Sequence, residues 1–126
     1  METKTIIIEG REFNLIRFKN EWVFPFITTY ECGLGSPIAF MLYYLVGDSL
    51  EYYTCVTVNL PECKRSTGCQ FIDTNNNDSN ILDWLEENKF GERTNRTGTS
   101  GFCTYPEFDF YKGEKFHEYK KMSENL

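Results

Sequence analysis

From Trp22 to Cys32 the even positions read Trp, Phe, Phe, Thr, Tyr, Cys. A period of two sustained over that length fits an extended strand with one face turned to a core, and fits no helix. Residues 38–46 are apolar at nearly every position, which predicts a neighbouring strand covered on both faces. Residues 50–60 are its natural partner, with Leu50, Tyr52, Thr54, Val56, Val58 and Leu60 on one face. Gly47-Asp48-Ser49 makes the turn, and Pro61 stops the ladder by removing a donor. Residues 5–9 and 12–18 form an opening hairpin around Gly10. Pro25, inside the aromatic stripe, predicts an edge or a bulge.

After a polar run over 73–80, Ile81, Leu82, Trp84 and Leu85 are spaced to put an apolar stripe on one side of a helix over 80–89. Asp78, Ser79 and Asn80 are its candidate caps, and Gly91 is placed to end it. Residues 92–101, rich in Thr and Gly, read as a long loop. Residues 102–111 read as a last strand with Phe102, Thr104, Phe108 and Phe110 in phase, and Pro106 as a bend or edge. The polar extension 112–126 has a weak helical stripe through Phe116, Tyr119 and Met122 and is expected to fray. The expectation is an α+β domain over 1–111: a twisted, mainly antiparallel sheet of about five to seven strands, with one short helix packed on it and a second helix at the C-terminal end.

With 126 residues the chain can bury a single core, and 17% aromatic side chains exclude a disordered or collagen-like state. No apolar run approaches the roughly 20 residues of a membrane-spanning helix. Five cysteines, an odd count, and a start lacking the pattern of an export signal point to reduced thiols and a cytoplasmic setting. Cys32 and Cys55 are expected as small apolar fillers. Cys63, Cys69, Cys103 and His117 are a poor zinc set, because no close thiolate pair nucleates a tetrahedral site.

Other chemistry is weighed the same way. Asp73-Thr74-Asn75-Asn76-Asn77-Asp78 opens like a calcium loop but has Asp78 where the sharp turn needs Gly and Trp84 where a bidentate Glu belongs. Asx turns and helix capping explain it better. Arg93 and Arg96, with Ser100 and the backbone of Gly98 and Gly101, can form an anion-binding concavity, although no P-loop ending follows. Tyr105 is a candidate to stack on a base beside them. A formal charge of −6 opposes a polyanion over most of the surface. His117, the sole histidine, lies in the tail expected to fray, between Phe116 and Glu118, so a Cys103 and His117 pair is set aside for a surface histidine and no catalytic residue and no cofactor or metal is assigned. Tyr43, Tyr53, Tyr105 and Tyr111 either form a second core layer or stand outside as a binding patch, the first being preferred.

Three blocks in order add a further indication: Thr57-Val58-Asn59-Leu60-Pro61, Phe71-Ile72-Asp73-Thr74-Asn75-Asn76, and Ser100-Gly101-Phe102-Cys103-Thr104-Tyr105-Pro106, with Thr94 and Arg96 after Gly91. Residues 56–110 thereby resemble a bacterial family, domain of unknown function 4313, and the preceding hairpins resemble it loosely. The loop 61–69 and the extension after Tyr111 depart from its pattern. The resemblance implies a small protein carried by conjugative and other mobile elements of gut bacteria, and implies no chemistry.

The expected function is a non-catalytic protein-interaction module of a mobile element. In its concrete form it inhibits a host defence nuclease of the restriction or CRISPR type by placing carboxylates in a DNA-binding groove. The alternative is a nucleic-acid-binding accessory protein using the Arg93 and Arg96 loop. Asp73, Asn75, Asn76, Arg93, Arg96, Ser100 and Tyr105 are the candidate binding residues, with a protein partner expected and no membrane.

Overall fold

The chain opens as a meander, which a computed structural model describes from residue 2 to residue 126. Five strands follow one another in space as they do in sequence: β1 (Thr3–Ile8), β2 (Arg11–Phe18), β3 (Glu21–Thr29), β4 (Ile38–Val46) and β5 (Ser49–Cys55). Glu9 and Gly10 join β1 to β2 with φ of 50° and 80°. Such a mirror-image turn matches the right-handed twist of the strands it links.

The predicted partner strand over 50–60 is broken at Val56, which hydrogen-bonds through N–H to Phe40 O and through C=O to Asp73 N, each at 2.8 Å. Beyond it, β6 (Thr57–Val58) enters a second, four-stranded sheet in the order β6-β7-β9-β8, with β7 at Cys69–Ile72, β8 at Glu92–Ser100 and β9 at Cys103–Asp109. The fold is therefore α+β and antiparallel, as expected, but built on two sheets where one was expected. A continuous β-rich sequence does not reveal the residue at which a strand changes sheets.

Residues 92–101 are a strand rather than the expected long loop. β8 lies at a sheet edge and pairs only with β9, so most of its side chains face water and no apolar alternation marks it. Its Gly98 is buried under the Phe71 ring, which a Cβ there would approach to 2.6 Å. The final strand is shorter than predicted, since Phe102 is fully exposed at the hairpin turn and Phe110 begins a single 3₁₀ turn over Phe110–Lys112.

The first helix, α1 (Asn80–Glu87), ends before its predicted limit and buries Ile81, Leu82 and Leu85. Gly91 does not cap it. With φ of 149° it lets the chain enter β8 hard against the end of β9, where a Cβ would fall 2.1 Å from Asp109 O. The core is dominated by rings. Phe40 packs edge-on against Phe90 at 5.0 Å and also lies against Phe110, which in turn meets Phe108 and Phe116.

The segment 112–126 set apart in the sequence contains α2 (Glu114–Glu124), and its Phe116 and Tyr119 join the same buried cluster. Its place follows from a gap in the first sheet. β2 and β3 pair only at Ile16 with Val23, Arg17 with Trp22 and Phe18 with Glu21, then part. Into that seam α2 sets two hydroxyls. Tyr119 donates to Asn14 O on β2 at 2.9 Å, and Ser123 accepts from Ile27 N on β3 at 3.0 Å. Alternation along β3 aims Pro25 the same way as Val23 and Ile27, so its missing N–H faces the seam. The expected edge is thus local, inside a strand that is central to its sheet.

Candidate functional site

The densest polar cluster folds as its composition suggests. Asp73 Oδ1 accepts from the amides of Asn75 and Asn76 at 3.2 and 3.1 Å, and Oδ2 accepts from Asn76 Nδ2 at 2.8 Å. Three of the candidate residues therefore meet in one Asx-type turn whose carboxylate is already held by its own loop. Asn77, which was not singled out, does the deeper work. Its side chain is buried, donates to Cys55 O and accepts from Thr54 Oγ1, tying the loop to β5.

The two arginines do not share a cleft. Arg93 Nη2 lies 2.6 Å from Asp83 Oδ1 and 2.8 Å from Glu86 Oε1, while its backbone N–H donates to Glu86 Oε2, so it clamps β8 to α1. The guanidinium hydrogen bond holds the Glu86 carboxyl below its ordinary range. Arg96 instead reaches Glu107 Oε1 on β9, at 2.8 Å from Nε and 2.6 Å from Nη2. Thr94 Oγ1 donates to the same oxygen at 2.8 Å, and Arg96 Nη2 also donates to Ser66 Oγ. Glu107 is only 1% exposed, so the cation above it neutralises a buried charge. An anion arriving at this strand meets two guanidiniums already matched by carboxylates.

Ser100 sits exposed at the tip of the β8–β9 hairpin, away from both arginine clamps. Tyr105 lies half-buried on β9. Its phenol is pushed up first by a hydrogen bond with Cys103, with the Asp73 charge acting in the same direction.

The cysteines and histidine are also dispersed in their bonding. Cys63 Sγ donates to Thr99 O, and the His117 ring nitrogen donates to Tyr111 O at 2.9 Å. Among the described residues no three His, Cys, Asp or Glu side chains converge on one point. Cys32 is exposed rather than a filler. Cys55 belongs to a polar knot between the sheets, where the Tyr30 hydroxyl lies 3.4 Å from its sulfur and 3.0 Å from Thr57 Oγ1. Burial raises the Tyr30 phenol well above its usual value.

Of the four tyrosines expected as a second layer, Tyr53 packs against the core, Tyr105 is half-buried and Tyr111 is half-exposed. Tyr43 belongs to a feature that the sequence did not single out. On the outer face of the first sheet, register places Phe24 opposite Tyr43 and Tyr43 opposite Tyr52. Phe13 stands edge-on to Phe24 at 5.2 Å, and Phe26 stands edge-on to Tyr43 at 5.9 Å. Phe13, Phe24, Phe26 and Tyr43, together with Leu50 and Leu126, line an open groove of about 370 Å³. The signal was the number of rings: more than two short helices can cover, so some remain outside.

No helix is long and apolar enough to cross a membrane among the described residues. A family model described as Domain of unknown function (DUF4313) matches residues 23–125. The match begins inside β3 and runs through α2, beyond the blocks that carry the resemblance, and it leaves out β1 and β2. No curated protein and no solved structure matches the chain.

Proposed function

We propose, since the chain belongs to the DUF4313 family and that description assigns no activity, a function read from this chain's own surface: a non-catalytic protein-interaction module. Its concrete form is an inhibitor of a host defence nuclease, carried in the bacterial mobile-element setting that the family resemblance implies. The observation that carries this reading is how charge is distributed between paired and unpaired groups. Arg93 and Arg96 are each matched by carboxylates, whereas on the first sheet and its turns Glu9, Glu12, Glu21, Asp48 and Glu51 make no ion pair with any described residue and outnumber Lys4 and Arg11, the unpaired cations there. Carboxylates left in water are available to a basic partner and steer its approach.

The chemistry of reaction finds no comparable support. Asp73 is held by its own loop amides, and His117 is bonded to a main-chain carbonyl. Nucleic-acid binding ranks second, because it requires Arg93 and Arg96 to leave partners at hydrogen-bond distance. The test is capture from a bacterial lysate with tagged protein, together with plating of phage on restricting hosts that express it. Recovery of a nuclease subunit and a raised plating efficiency are expected. Absence of any partner with restriction unchanged refutes the reading, and salt-sensitive gel shifts of single-stranded DNA, weakened by Arg96→Ala, would favour the second.

A further inference from the structure

We infer that a cleft between two loops, 31–36 after β3 and 61–68 before β7, is a binding site for a small phosphomonoester with an apolar or aromatic body. The site goes beyond the protein-interaction reading and does not depend on it. Its walls are Leu34 between two glycines on one loop and Pro61, Lys64, Arg65, Ser66 and Thr67 on the other, around a volume of about 510 Å³. Small-ligand sites span about 300–1,000 Å³.

Charge sets this cleft apart. Four other clefts among the described residues each carry at least one carboxylate. This one carries none, and neither Lys64 nor Arg65 makes an ion pair with a described residue. Arg65 spends one N–H on Leu34 O at 2.7 Å and keeps four for a ligand. Ser66 Oγ accepts from Arg96 Nη2 at 3.1 Å, which leaves its own O–H to donate. Two cations and two hydroxyls on one concave wall suit a phosphate. Glu31 and Glu62, on the same loops, are exposed and do not line the cleft. A long polyanion passes those carboxylates as well, whereas a small ligand held inside meets the cations alone.

The walls are fixed before a ligand arrives. Cys63 Sγ donates to Thr99 O, Asn59 Nδ2 donates to Cys32 O at 2.8 Å, and Arg65 bridges the two loops themselves. Preformed walls lower the ordering cost of binding. Leu34, 90% exposed, and Pro61 form an apolar part that a bare phosphate leaves uncovered, so the ester group is the part of the ligand they receive.

The probe is adenosine monophosphate, titrated into the full chain at low salt and followed by two-dimensional NMR, with inorganic phosphate and adenosine as controls. Shifts confined to 33–35 and 61–67 are expected, with both controls weaker by about tenfold or more. Lys64→Gln, at an exposed side chain that bonds to no described residue, is expected to weaken the monophosphate by about tenfold while its thermal melt is unchanged. Arg65→Gln, which also gives up Leu34 O, is expected to weaken it at least as much. Equal binding of adenosine or of inorganic phosphate, an unaffected Lys64→Gln, or shifts lying elsewhere or absent would each overturn the assignment. A single-stranded oligonucleotide that holds the same residues more tightly than the mononucleotide would overturn it too, in favour of the nucleic-acid reading.

Discussion

Replacing Ser123 with Ala asks whether α2 is part of the fold or an appendage. In the structure the Ser123 hydroxyl accepts from Ile27 N at 3.0 Å and donates to Tyr119 O at 2.7 Å, and the residue is 7% exposed. Truncation to Ala leaves the Ile27 amide buried without a partner, because β2 has already left that side of β3. An orphaned buried donor costs about 1–3 kcal/mol. Alanine returns up to about 0.5 kcal/mol through its better helix propensity. The net is a loss of about 0.5–2.5 kcal/mol, which at a urea slope near 1.5 kcal/mol/M lowers the midpoint by about 0.3–1.7 M. Urea unfolding followed by circular dichroism, with the slope unchanged, is the assay. On a frayed tail the same substitution acts through propensity alone and stabilises slightly. A midpoint that stays or rises therefore refutes the seam described for α2.

Alkaline unfolding offers a second check, since burial pushes the Tyr119 phenol up to about 12. A phenol whose folded value lies above its unfolded value near 10 contributes fully below pH 10, and its contribution is lost as the pH rises towards 12, by about 1.4 kcal/mol per unit. Tyr119→Phe should flatten the stability profile over that window, and an unchanged slope would count against the burial. Burial likewise pushes the Cys69 thiol up to about 11, with Asp109 and Glu107 adding to it, so Cys69→Ala should flatten the profile below pH 11 and leave the upper part alone. Gly113→Ala places a Cβ 2.0 Å from Phe90 C and is expected to yield no folded protein, whereas Gly101→Ala meets open space and costs only about 1–2 kcal/mol for its positive φ. Soluble expression and melting of the two variants decide this. For Glu86, held low by Arg93, the associated stability is present above the ordinary carboxylate range and fades as the pH falls; Arg93→Ala should remove that acid dependence.

What the sequence made legible was governed by local period. β3, β4 and α1 were readable because burial stamps a repeat of two or 3.6 on their side chains. β8 was not, because an edge strand with water on most of its side chains carries no such stamp, and its Thr residues and Gly98 read equally well as a loop. α2 has few apolar residues, yet Phe116 and Tyr119 suffice to bury it because the seam supplies partners from 96 to 105 residues away. The Asx turn at Asp73 was legible, since its bonds are to its own neighbours, but the Asn77 tie to β5 was not. The arginines were correctly placed on one segment but not in their pairing, which depends on Glu107 and on α1 across the fold. The groove was hidden for the opposite reason: its rings match the core pattern, and only their excess marks them.

The seam between β2 and β3 also sets an order of events in synthesis. All five strands of the meander leave the ribosome long before α2, and throughout that interval the Ile27 amide and the Asn14 carbonyl have only water or a wrong strand to bond. The zip is finished by a helix that lies 96 to 105 residues further along the chain. Closure across such separations is slow, so the ring-rich ribbon stays open at this seam until Tyr119 and Ser123 reach it.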